Sequence, residues 1–133
     1  MDRLFLDANV LFSAAYRDDA GVQRLWSAPN SELVTSDYAV EEATRNLADP
    51  DQRERLEGLL GSVEIVPARV LDPDLRGDVQ LRDKDWPILS GAVGARATHL
   101  ITGDIRDFGS YFGQQVLGVL ILPPSQYLRT RSK

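Results

Sequence analysis

Leu4-Phe5-Leu6-Asp7-Ala8-Asn9-Val10-Leu11 decides how the rest of the chain is read. Three apolar residues make a short strand, an acid follows at once, and Val10 and Leu11 begin the apolar face of a helix. A strand that passes straight into a helix is the first half of a βαβ unit. Two further acids stand in comparable places: Asp104 after Leu100-Ile101-Thr102-Gly103, and Asp85 before Trp86-Pro87-Ile88-Leu89. In an open α/β sheet, ligands and chemistry gather outside the carboxyl ends of the strands. Carboxylates from distant parts of the sequence meet there, with no cation of the chain expected to neutralise them. Such a cluster is unfavourable unless it takes up protons or a hard divalent metal.

Outward from this stretch, apolar runs alternate with helical patterns, which predicts an α/β fold with a mostly parallel sheet. Strands are expected near 3–6, 32–35, 63–66, 99–102 and 116–121. Helices are expected at 8–16, 21–28, 37–48, 51–61 and 85–97, with a short piece after Pro123-Pro124. Asp37 or Ser36 is expected to cap the helix carrying Ala39, Val40, Ala43 and Leu47. Asp85 is expected to cap the helix through Ile88, Leu89, Ala92 and Val93, with Pro87 tolerated in its first turn. Pro67 to Pro73 reads as loop.

The 133 residues make one ordinary domain, and 43% hydrophobic with 26% charged residues is a globular composition. A net charge of −5, from 20 acids and 15 bases, argues against holding nucleic acid by bulk electrostatics. A divalent ion bound among the acids would reverse that local field. With no cysteine, disulfides and thiolate metal sites are excluded. No apolar run approaches the roughly 20 residues of a membrane span, and the first acid comes too early for a secretory signal. A cytoplasmic protein is the default expectation.

Singly, each acid has a structural explanation. Asp7 and Asp85 are good helix caps, Asp104 suits a turn, and Glu42 has no more claim than Glu41. Jointly they make a pattern. Asp7 and Asp104 follow parallel strands at one sheet end. Asp85 starts the helix that runs back antiparallel to the Asp104 strand, so its start lies beside that strand's end. The helix at 37–48 also starts there, and Glu42 in its second turn leans over the cluster. Carboxylates without histidine suit magnesium or manganese better than zinc. The one histidine, His99, begins a strand and is expected to be satisfied or exposed. Such a site would orient a water, lower its pKa and stabilise a leaving oxygen in phosphodiester hydrolysis.

These residues resemble the PIN domain, a family of small metal-dependent ribonucleases that includes the VapC-like toxins of bacterial type II toxin–antitoxin pairs. Leu6-Asp7-Ala8-Asn9-Val10-Leu11 is similar to its first motif. Ser36-Asp37-Tyr38-Ala39-Val40-Glu41-Glu42 is similar to the second, and its spacing selects Glu42 over Glu41. Asp83 to Ala92 resembles the third, and register with Ile88-Leu89 and Ala92 selects Asp85 over Asp83. Thr102-Gly103-Asp104 with Asp107-Phe108 resembles the last. The motifs run in order from residue 4 to about 128, which gives a PIN-like nuclease domain over 1–128 and a short basic tail, 129–133.

The resemblance implies a parallel sheet of about five strands with helices on both faces. It also implies a Mg or Mn endoribonuclease site of Asp7, Glu42, Asp85 and Asp104, the metal being held by Asp7, Asp85 and Asp104. Asn9 and Thr102 would be supporting hydrogen-bond partners and Asp107 a peripheral acid. The expected partner is an RNA substrate, with an antitoxin protein and a homodimer left open and no membrane. The alternatives are an RNA-processing nuclease without an antitoxin and a non-catalytic interaction module. Dehalogenase-type phosphatase chemistry wants an acid where Asn9 stands. Receiver-type chemistry wants a lysine after the Asp104 strand, where none occurs until Lys133. The dinucleotide-binding glycine turn is missing after the first strand. Arg45, Arg53 and Arg55 could place phosphates near the site, but arginines on helices that carry Glu54 and Glu57 more often form a solvated charge network.

Overall fold

Every residue from Leu4 to Leu6 is fully buried, as expected for a strand covered on both faces of a parallel sheet. The computed structural model, which describes residues 1–131, places this strand, β1 (Asp2–Leu6), near the middle of a six-stranded sheet. With β2 (Ser31–Ser36), β3 (Val63–Val66), β4 (His99–Ile101), β5 (Gln115–Val116) and β6 (Val119–Leu122), the order is β3-β2-β1-β4-β6-β5. All pairings are parallel except β5 with β6.

The stretch expected as one strand, 116–121, is a hairpin, so the sheet has six strands where about five were expected. Leu117 (φ 53°) and Gly118 (φ 86°) both take positive φ, the two-residue turn that suits the twist of antiparallel strands. Glycine adopts that conformation freely and leucine rarely does. The four apolar letters Val116-Leu117-Gly118-Val119 therefore hide the turn.

The helices are α1 (Ala8–Tyr16), α2 (Asp37–Asn46), α3 (Pro50–Leu60), α4 (Trp86–Gly94), the single turn α5 (Ile105–Phe108) and α6 (Pro124–Arg131). The segment Gly21–Ser27 is a 3₁₀ helix. Ser36 caps α2, its hydroxyl accepting from Ala39 N–H at 3.2 Å, while Asp37 instead accepts from Ala68 N–H at 2.8 Å. α4 lies against the face of β1 that carries Phe5, close enough that a Cβ on Gly91 would come within 2.8 Å of the Phe5 ring. α6 continues to Arg131, whose guanidinium donates to Pro29 O at 2.9 Å, so the helix runs three residues into the stretch read as tail. Ser132 and Lys133 lie outside the described residues. Among the described residues no helix is long and apolar enough to cross a membrane.

The sheet order sets the site. The chain moves outward from β1 through β2 to β3, then returns across β1 to lay β4 on its other side. The carboxyl ends of β1 and β4 are thus the topological switch point, where open α/β sheets bind ligands. Leu6 pairs with Ile101, which sets Asp7 beside Thr102 and brings Asp104 to the same end.

Candidate metal centre

Asp7 caps α1, its Oδ1 accepting from Ala8 N–H at 2.6 Å. Its Oδ2 accepts from the Thr102 hydroxyl at 2.8 Å and the Asn9 amide at 3.0 Å. Thr102 Oγ1 in turn accepts from Asp104 N–H at 3.1 Å, and Asn9 Oδ1 accepts from Gly103 N–H at 2.8 Å. Neutral donors on α1 and in the loop after β4 therefore lock the Asp7 carboxylate and tie the two strand ends together.

Asp85 does not cap α4 as expected. Asp83–Asp85 already winds a 3₁₀ turn, so Asp85 has helical φ and ψ (−95°, −17°) where an N-cap is extended. Its side chain is released towards the cleft. Oδ1 accepts from Lys84 Nζ at 3.0 Å, and Oδ2 is buried with no hydrogen-bond partner. Asp104 caps α5, accepting from Asp107 N–H at 3.1 Å through Oδ1.

These acids share a cleft of about 450 Å³ lined by Asp7, Asn9, Glu42, Lys84, Asp85 and Asp104. Glu42 is half-buried on α2 and faces it; Glu41 is exposed and lies 3.8 Å from Arg45 on the helix surface. Asp83 is exposed, and Asp85 is only 4% exposed. The tightest cluster, with carboxylate oxygens within 4.8 Å of one another, is Asp85, Asp104 and Asp107. Asp107, read as peripheral, joins it; Asp7 stands beside it across the cleft.

The cluster contains a cation of the chain, contrary to expectation. Lys84 Nζ lies 3.0 Å from Asp85 Oδ1, 3.0 Å from Asp107 Oδ2 and 3.9 Å from Asp104 Oδ2. Arg82 holds Asp107 from the other side in a bidentate pair of 3.0 and 2.9 Å. The Tyr38 hydroxyl donates to the Lys84 carbonyl at 2.9 Å, which fixes the turn against α2. The run Arg82-Asp83-Lys84-Asp85 carries this signal in its sequence: when the last acid turns inward, a base beside it is drawn to the same site.

Burial dominates the electrostatics. It pushes the Asp7 carboxyl up to about 6; the Thr102 and Ala8 bonds oppose the rise, and Glu42 and Asp85 add to it. Burial also raises Asp85, with the neighbouring Asp107 carboxyl acting in the same direction and Lys84 against it. Arg82 first, then Lys84, holds Asp107 well below the usual carboxylate range. Burial works against the Lys84 ammonium, but Asp107 and Asp85 more than offset it and raise its pKa.

Two of the arginines near the site serve helix ends. Arg53 donates to Leu47 O at 2.6 Å and Arg55 to Ala15 O at 2.7 Å, so these two satisfy carbonyls at the ends of α2 and α1 where a network with Glu54 and Glu57 was expected. His99 sits at the opposite end of the sheet, its Nδ1 2.7 Å from the Thr98 hydroxyl and its ring edge-on to Tyr127.

No protein-family model and no curated protein matches the sequence. Solved structures do match in fold. VapBC2 from Rickettsia felis, bound to a DNA fragment of its promoter, matches with a TM-score of 0.63 at 17% identity, over 91% of this chain and 98% of that one. The fold is that of a PIN domain. A toxin–antitoxin complex from Klebsiella pneumoniae matches at 0.60 and 22% identity, over 91% and 97% of the two chains. The sarcin-ricin-loop-cleaving toxin VapC20 of Mycobacterium tuberculosis matches at 0.55 and 13%, over 80% and 93%. The switch point of this sheet is where Asp7, Asp85 and Asp104 converge.

The donor set suits a hard cation. Its acids offer oxygen ligands, which Mg²⁺ and Mn²⁺ prefer, and a buried carboxylate oxygen without a partner, Asp85 Oδ2, is what an oxygen-seeking cation would satisfy.

Proposed function

We propose that this PIN domain is a Mg- or Mn-dependent endoribonuclease that hydrolyses RNA phosphodiester bonds, and that it is the toxin of a type II toxin–antitoxin pair. The observation that carries the reading is the buried, hydrogen-bond-deficient Asp85 facing Asp7, Glu42 and Asp104 across one open cleft. The fold shared with toxin–antitoxin complexes supports an antitoxin protein as partner.

Asp7, Asp85 and Asp104 would hold the ion. When bound, it would activate a water and stabilise charge on the scissile phosphate. The chain supplies the positioning. Asp7 is fixed by three neutral donors, so it presents its charge in one orientation. Asn9 and Thr102 keep the ends of β1 and β4 in register, and Asp107 anchors Arg82 and Lys84 at the rim. Glu42 would orient the attacking water and accept its proton from the α2 side.

The test is cleavage of single-stranded RNA by the purified chain in Mn, in Mg and in EDTA. Cleavage is expected with either metal, none in EDTA, and a loss of orders of magnitude on Asp→Asn at positions 7, 85 or 104. Near-full metal-dependent cleavage by those variants would overturn the assignment.

A further inference from the structure

The two oxygens of Asp85 look in different chemical directions. Oδ2 is buried with no partner, Oδ1 is bonded to the Lys84 ammonium at 3.0 Å, and the residue lines one cleft with Asp7, Glu42, Lys84 and Asp104. The donors to Asp7 on its own side are neutral: the Ala8 amide, the Asn9 amide and the Thr102 hydroxyl. On the other side, Asp85, Asp104 and Asp107 gather carboxylate oxygens within 4.8 Å of one another, the spacing of a cation site, and Lys84 Nζ reaches all three.

Lys84 is held there from two elements. Its carbonyl accepts from Tyr38 on α2, and its ammonium bonds an Asp107 that Arg82 grips through both oxygens. Mg²⁺ sits about 2.0 to 2.1 Å from its oxygen ligands. An ion bound to the oxygens that Lys84 already contacts would press against the ammonium at short range, where like charges repel strongly. Asp7, whose donors are all neutral, carries no such conflict.

We propose that Lys84 fills the second cation position of the cleft, so that the chain takes up one divalent ion rather than two. This rests on the metal-site reading above. The ammonium is a resident monovalent charge that holds Asp85, Asp104 and Asp107 together before any ion arrives, and it limits the site to a single-ion chemistry.

Manganese alone, titrated into the full chain at neutral pH and counted by the EPR signal of free Mn²⁺, tests this without any cleavage assay. Wild type should saturate at one ion per chain. Lys84→Met should saturate at two, and Lys84→Arg, which keeps the charge, at one. Lys84→Gln is the second uncharged variant if the methionine variant does not fold, and it too should reach two. Two ions on wild type, or one on a folded Lys84→Met or Lys84→Gln chain, overturns the Lys84 assignment and leaves the nuclease reading standing. No ion on wild type overturns the metal site itself.

Discussion

The Thr102 hydroxyl donates to Asp7 Oδ2 at 2.8 Å and at the same time accepts from the backbone N–H of Asp104 at 3.1 Å. One buried oxygen thus links two acids that are far apart in sequence. Removing it by Thr102→Val should destabilise the fold by about 1–3 kcal/mol, because Asp7 Oδ2 loses one of its two donors and the half-buried Asp104 N–H loses its acceptor while the shape is kept. It should also weaken Mn binding, since Asp7 loses a bond that favours its charged form. Thr102→Ser should retain both properties. Urea unfolding of the three proteins and their thermal shifts in Mn would check this; equal stability of Thr102→Val and wild type would show the link to be idle.

Glu42 and Glu41 are adjacent, yet one lines the cleft and the other lies beside Arg45 on the exposed face of α2. Glu42→Gln should lower RNA cleavage by at least tenfold, while Glu41→Gln should leave it within about twofold, since an exposed i,i+4 pair contributes only about 0.3–0.5 kcal/mol. The reverse order in paired assays would put the catalytic face of α2 elsewhere.

Acid should stabilise the metal-free protein over a defined range. The Asp7 carboxyl sits at about 6 in the fold, chiefly because it is buried, and near 4 in an unfolded chain. A raised folded pKa means that the folded state holds the proton more tightly. Its stabilising effect is complete below about pH 4 and is lost as pH rises towards 6, amounting to about 3 kcal/mol for Asp7 alone. Asp85, also raised by burial, acts in the same direction. Asp107 is lowered, so its contribution is present above about pH 4 and fades on further acidification, outside this range. Urea midpoints in EDTA should therefore fall between pH 4.5 and 7, and Asp7→Asn should flatten the slope. Millimolar Mn at pH 7 should restore stability by binding the folded state alone. A flat profile in wild type would mean that the acids are not coupled to folding.

Gly91 tests the seating of α4. A methyl group there would stand 2.8 Å from Cζ of the fully buried Phe5 ring, so either α4 or the ring must move. Gly91→Ala should cost about 1–3 kcal/mol by overpacking. Because Asp85 lies at the start of the same helix, the variant should also bind Mn more weakly than its lost stability alone explains. Calorimetry of the folded variant separates the two effects.

The sequence made the fold and the four cleft acids legible where local chemistry and position agree. An apolar triplet followed by an acid marks β1 and the start of α1 because the acid has a capping role there. It did not reveal the β5–β6 hairpin, since Leu117 takes a backbone conformation that its side chain disfavours and no polar residue marks the turn. It misread Asp85 as a cap because capping depends on the local turn, and Asp83 to Asp85 were not expected to wind one. It passed over Lys84 because an alternating-charge run normally faces water, and only the fold shows this one wrapped around the end of β4.

The position of β1 has a consequence for how the chain is made. β1 is the first strand synthesised, yet one of its two neighbours is β4, which carries the chain to Asp104. Synthesis proceeds from the N-terminus, and a growing chain holds Asp7 and Glu42 long before Asp85, Asp104 or Asp107 exist. Until the last third has been translated there is no charge cluster to hold an ion. A protein proposed to cut RNA is in this way assembled on an RNA machine in an inert form, and becomes armed only when β4 closes against the open edge of β1.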